Sequence, residues 1–220
     1  MSQLPKVKIC GLRQVDDLKV SIEEGADLIG LNFVSSSPRL VSPKEAEILV
    51  TYLYTSVPSF LRPKIVFLFY KSSGSFIESI LKNLEYDYVQ YVSDDCLAPG
   101  NTSPLYQERD ARIISYRVKG PVSDDSLSFL DSNLLILDSF NPAAGGGTGE
   151  RFPWEYVSEV KRPYLLAGGL NPENVSEALA QTGAYGVDVA SGVESSPGVK
   201  DPNLIRKFIQ NAKRSANNGK

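Results

Sequence analysis

The sequence predicts one α/β domain spanning residues 1–220, in which eight buried strands alternate with helices, and three observations carry that prediction. Eight short runs rich in Val, Ile, Leu and aromatic residues recur along the chain. The runs are nearly continuous in apolar character rather than alternating, as strands covered on both faces of a parallel sheet are. Most segments between them read as helices. With 220 residues, 42% of them hydrophobic, the chain is long enough to bury one large core.

In order, the strand-like runs fall at 7–10, 28–33, 65–69, 88–91, 113–116, 134–137, 164–167 and 187–189. Between the second and third, Ser42, Pro43 and Glu45 form a capping box with proline at the first helical position, where its missing N–H costs nothing. Ala46, Leu49, Val50 and Leu53 then follow at helical spacing. Asn171-Pro172-Glu173 and Asp201-Pro202 repeat this cap-then-proline order before Val175, Ala178 and Leu179, and before Leu204, Ile205, Phe208 and Ile209. The fourth unit is irregular: 96–110 contains Pro99, Gly100 and Pro104 with little periodicity, which predicts a short or broken helix. The tail from about 215 to 220 is expected to be disordered. This alternation builds either a closed (β/α)8 (TIM) barrel or a doubly wound open sheet, and pattern alone admits both.

Composition narrows the function. The 23 basic and 26 acidic residues nearly balance, with no basic block beyond Lys213-Arg214, so neither nucleic acid nor an anionic membrane is an expected partner. Pro5, Lys6 and Lys8 interrupt the first apolar stretch, so no signal peptide is expected, and no apolar run is long enough to span a bilayer. Cys10 and Cys96 fit neither a disulfide framework nor a metal spacing, which points to a reducing cytoplasm. The chain has no histidine, so any proton transfer falls to carboxylates, thiols, lysines or tyrosines. No helix shows a second apolar stripe, and a monomer is expected over a homodimer.

In a (β/α)8 barrel the carboxyl ends of the strands converge on the rim that holds the active site. The strand ends of this chain present Cys10-Gly11, Ser37-Pro38-Arg39, Asp138-Ser139, Gly168-Gly169 and Asp188 through Gly192. Cys10 before a glycine and Asp138 after four apolar residues are candidates for the chemistry. Gly168 and Gly169, with Ser191 and Gly192 in the next unit, suit a phosphate held by backbone N–H groups. Arg39 suits a substrate carboxylate, since its planar fork bonds both oxygens. The run 145–149, including Gly147, reads as a mobile loop over the substrate, packed down by Phe152 and Trp154.

Taken together and in order, these residues resemble the phosphoribosylanthranilate isomerase family. Lys8-Ile9-Cys10-Gly11-Leu12, Ser37-Pro38-Arg39, Leu137-Asp138-Ser139, Gly146-Gly147-Thr148-Gly149, Ala167 through Val175 and Gly186 through Glu194 all follow its pattern. The resemblance implies a closed barrel and an Amadori rearrangement of a small phosphorylated substrate, with no metal or organic cofactor. It implies Asp138 as general acid and Cys10 as general base. It assigns Arg39 to the substrate carboxylate, Gly169, Ser191 and Gly192 to the phosphate, and a supporting place to Asp188.

The sequence departs from the family beside these residues. Where the family has Gln-Leu-His-Gly after the fourth strand, this chain has Gln90-Tyr91-Val92-Ser93, without the histidine. The usual fifth-strand lysine is replaced near Tyr116, next to Arg117, and Pro153 stands for an aspartate. A barrel that binds a phosphorylated ligand without turning it over would explain the lost histidine but not the retained Cys10, Arg39 and Asp138. A ribulose-phosphate epimerase would be expected to have metal-binding histidines, and an indole-glycerol-phosphate synthase several catalytic lysines and glutamates.

Overall fold

The computed structural model describes residues 4–92, 112–130, 132, 134–139 and 152–215. Eight parallel strands close into a barrel in sequence order: β1 (Lys6–Cys10), β2 (Leu28–Asn32), β3 (Lys64–Phe69), β4 (Tyr88–Val92), β5 (Arg112–Val118), β6 (Leu134–Ser139), β7 (Tyr164–Leu166) and β8 (Gly186–Val189). Each lies on one of the eight predicted runs, and closure rejects the open sheet. The seam pairs Lys8 of β1 with Asp188 of β8. Gly186 permits this closure, because a Cβ there would meet the Lys6 carbonyl oxygen at 2.2 Å.

Among the described residues five α-helices pack outside: α1 (Val15–Glu23), α2 (Pro43–Ser56), α3 (Gly74–Asn83), α4 (Val175–Thr182) and α5 (Pro202–Ser215). Both hydrogen bonds of the predicted capping box at Ser42 are present. Asp201 begins α5, its Oδ1 accepting from the N–H groups of Asn203 and Leu204. The start of α4 differs from expectation. Asn171 Oδ1 accepts from the N–H groups of Glu173 and Asn174, making a separate turn, and the helix begins only at Val175.

After β5 the described residues form turns between Ser123 and Phe129 in place of a helix. Asp124 accepts there from the N–H groups of Lys161 and Arg162, which ties this connection to the one before β7. The predicted irregular helix at 96–110 and the glycine run 145–149 lie outside the described residues, as does most of the tail from 215. A hairpin of β9 (Glu194–Ser196) and β10 (Val199–Lys200) separates β8 from α5.

Residues on the outer face of the strands, such as Val7, Ile9, Phe67 and Leu137, form the large core with the helices. Inside the barrel a smaller apolar plug of Leu28, Val66, Ile113, Ile136, Leu165 and Ala167 fills the lumen. Because side chains alternate along a strand, the inward positions of β1 are then Lys8 and Cys10. A lysine thus sits inside the barrel, fully buried.

Candidate active site

Above the plug a cavity of about 470 Å³ opens at the carboxyl ends of the strands. That is a fitting volume for a small ligand, at the rim where barrels hold their sites. Cys10, Arg39, Asp138, Gly168, Gly169, Asp188 and Ser191 all line it. Gly192 stands behind the wall: a Cβ there would lie 1.8 Å from the Leu170 carbonyl oxygen, so this glycine lets the loops after β7 and β8 pack together. Gly147 lies outside the described residues. Phe152 and Trp154 are buried in the outer core.

Cys10 ends β1, and its thiol occupies space left by the absent side chain of Gly30, where a Cβ would come within 2.8 Å of Sγ. Burial pushes the thiol pKa up and Asp188 adds to this, while the ammonium groups of Lys8 and Lys200 pull against it. Lys8 donates to Asp188 Oδ1 at 2.9 Å, and its charge acts on the Cys10 thiol beside it. Burial works against the Lys8 charge, but the flanking Asp188 and Cys10 outweigh it and hold its pKa above the ordinary lysine value.

Asp138 projects from β6 into the same cavity. Burial and the like charge of Asp188 push its pKa up to about 6, against the Ser139 N–H, which donates to Oδ1 at 2.8 Å, and the charges of Arg117 and Lys8. Close to neutrality, then, this carboxyl holds its proton part of the time.

On the fourth and fifth strands the departures from the family pattern acquire positions. Val92 lines the cavity, and so does Arg117, the register partner of Asp138. Tyr116 points the other way, edge-on to Phe129. Arg117 lies over the Tyr70 ring at 5.1 Å from its centroid. Gln90 is buried against the cavity, and among the described residues its Oε1 has no hydrogen-bond partner.

Arg39 sits in the loop after β2, nearly dry. Its Nε and Nη2 donate to the two carboxylate oxygens of Glu194 at 2.7 and 2.8 Å. Gly11, at φ +76°, makes room for it, since a Cβ there would press on Arg39 Cδ at 2.5 Å. At the other end of the mouth Gly168 and Gly169 hold φ values of +87° and +65°, open to glycine at little cost. The Asn174 amide donates to the Gly169 carbonyl and fastens that turn to the start of α4.

The strand ends of the sequence mark the catalytic candidates but not their supports: Lys8, Gln90, Arg117, Glu194 and Lys200. A lysine between Val7 and Ile9, in a strand buried on both faces, was the available signal for the first. Glu194 pairs with Arg39 across 155 residues, a separation no local pattern encodes.

A buried carboxyl group of raised pKa at a barrel mouth is suited to passing a proton to and from a ligand. The fold and the placement of the cavity are those of (β/α)8-barrel enzymes. Comparison with known proteins narrows the class. Residues 7–211 match the family model described as N-(5'phosphoribosyl)anthranilate (PRA) isomerase. An N-(5'-phosphoribosyl)anthranilate isomerase of Leptospira interrogans is 49% identical over 214 residues, 97% of each chain. The crystal structure of phosphoribosyl anthranilate isomerase from Thermotoga maritima superposes with a TM-score of 0.75 at 30% identity, covering 96% of this chain and 99% of that one. Another solved isomerase holds reduced 1-(o-carboxyphenylamino)-1-deoxyribulose 5-phosphate and matches at a TM-score of 0.70 and 28% identity, over 96% of this chain and 99% of its own. The chain belongs to the N-(5'-phosphoribosyl)anthranilate isomerase family and is an isomerase.

Proposed function

We propose that the cavity binds N-(5'-phosphoribosyl)anthranilate and isomerises it to 1-(2-carboxyphenylamino)-1-deoxyribulose 5-phosphate. This is the isomerase step of tryptophan biosynthesis, carried by one barrel domain acting as a monomer in the cytoplasm. The observation that supports it most is that Cys10, Asp138 and Arg39 line one cavity, above the buried ammonium of Lys8.

Asp138 gives its proton to the furanose oxygen as the C1'–O bond breaks and the anthranilate nitrogen forms an iminium. Cys10, as thiolate, removes the C2' proton, and the freed electron pair makes the enolamine. The enolamine becomes the ketone when C1' gains a proton and the 2'-hydroxyl loses one. Transfer from the Cys10 thiol to C1', and from the hydroxyl to Asp138, returns both groups to their starting states. No metal or redox partner enters this balance.

The two groups share one proton. Burial favours the protonated Cys10 thiol, while Lys8 supplies charge that stabilises its thiolate. The positive iminium adds to that charge at the moment the base is needed. Arg39 receives the anthranilate carboxylate, and the backbone around Gly168, Gly169 and Ser191 the phosphate. Asp188 holds Lys8 and adds to the rise in the Asp138 pKa.

The test is the loss of anthranilate-ester fluorescence with freshly generated phosphoribosylanthranilate. Turnover is expected. Folded protein giving no rate above buffer would reject the reading.

A further inference from the structure

Arg39 is held from behind by a buried arrangement that has no evident reason in the fold alone. Its side chain is 9% exposed, that of Glu194 3%, and that of Lys200 1%. Removing three charges from water is expensive, and an apolar cluster of the same size is commonly as stable. The arrangement therefore calls for a purpose beyond stability.

Its connections suggest one. Glu194 takes the Nε and Nη2 edge of Arg39 with both its oxygens, and among the described residues no hydrogen bond is made by Nη1, while Arg39 lines the cavity. Lys200 Nζ donates to Glu194 Oε1 and to the Ala190 carbonyl oxygen, each at 2.8 Å. Ala190 immediately precedes Ser191 at the phosphate end of the mouth. The Gly198 N–H donates to Glu194 Oε2, and a Cβ on Gly198 would lie 2.3 Å from the Pro38 carbonyl oxygen, so the hairpin is seated on the Arg39 loop. The hairpin β9–β10 thus ties the loop after β2 to the loop after β8.

We propose that Glu194 and Lys200 are positioning residues: they fix the guanidinium of Arg39 relative to the Ala190–Ser191 turn, so that the site selects ligands carrying a carboxylate and a phosphate at one set separation. This rests on the proposed function, which places those two anions at Arg39 and Ser191. Lys200 also balances the charge of Glu194, leaving Arg39 free to attract a second carboxylate. Asp17 and Cys10 are the other titratable groups whose charges interact with Lys200.

Two probes separate this role from a merely structural one. Reduced 1-(o-carboxyphenylamino)-1-deoxyribulose 5-phosphate carries both anions, whereas ribulose 5-phosphate carries only the phosphate. Calorimetric titration of Glu194→Gln is expected to show binding of the first weakened about tenfold or more, with the second within twofold of wild type. Glu194→Asp retains the charge, and with it the fold, but draws Arg39 back by a methylene, and the same split is expected. In turnover the loss should fall on KM more than on kcat. Equal weakening of both probes, or of neither, would overturn the proposal. Wild-type protein binding the two probes equally would instead refute the functional reading on which it rests.

Discussion

Inside the barrel Lys8 donates to Asp188 at 2.9 Å, the lysine side chain at zero exposure and the aspartate at 11%. The pair spans the seam between β1 and β8, below Cys10 and beside Asp138. Lys8→Met leaves a carboxylate uncompensated and should cost about 3–5 kcal/mol in urea unfolding. Adding Asp188→Asn removes the stranded charge and should restore much of that stability. Turnover should stay low in the double variant, because Cys10 has lost its cation. Normal turnover there would make the pair structural only.

The acid and the base hold one proton between them in the productive state, and this shapes the pH profile. Below about 6 both groups are protonated and no base is available. Above the Cys10 pKa, which burial raises, both are ionised and no acid is available. Between the two limits a fixed fraction of the pair is correctly arranged. kcat/KM should therefore rise through about pH 6, stay level across neutrality and fall only in alkali. Asp188→Asn removes the like charge beside Asp138 and should move the lower limb to more acid pH, a shift that titration of the substrate phosphate cannot produce. A profile that declines steadily from pH 6 would exclude the thiol as base.

Glu194, Lys200 and the inward turn of Arg117 were illegible in the sequence for physical reasons. The eight strands could be read because parallel strands buried on both faces become continuously apolar, and Ser42 because a capping box is written in four consecutive residues. Asp138 and Cys10 could be placed because a strand end fixes what faces the mouth. Glu194 and Lys200 follow the last barrel strand in a polar stretch that reads as surface. Only the hairpin brings them against Arg39. The choice between Tyr116 and Arg117 required the register of β5, which sends Arg117 into the cavity and Tyr116 outward. The start of α4 was misplaced because Asn171 uses its side chain in a separate turn, a competition that proline spacing does not resolve.

Gly192 joins the two loops at the phosphate end. A methyl group there cannot coexist with the Leu170 carbonyl oxygen 1.8 Å away, so Gly192→Ala must part the loops after β7 and β8. Inorganic phosphate should raise the melting temperature of the wild-type protein, and that protection should be lost or much reduced in the variant. Phosphate protecting both proteins equally would place the anion elsewhere.

Asp138 carries a cost to the fold that its chemistry explains. In the unfolded chain its pKa is near 3.8 and in the folded protein about 6, so between those values the folded state binds more protons than the unfolded one. The contribution of this residue to stability is therefore greatest below about pH 4 and is lost as pH rises through 6. A shift of this size corresponds to at most about 3 kcal/mol, less where solvent in the cavity screens the charge. Asp138→Asn should then be more stable than wild type at pH 7.5, with the difference shrinking toward pH 4, measured by urea unfolding across that range. The same variant should lose turnover by orders of magnitude, since an amide cannot protonate the ring oxygen. An Asn variant less stable than wild type at neutral pH would mean that the charged carboxylate is favoured in the fold, and Asp138 would then be a poor general acid.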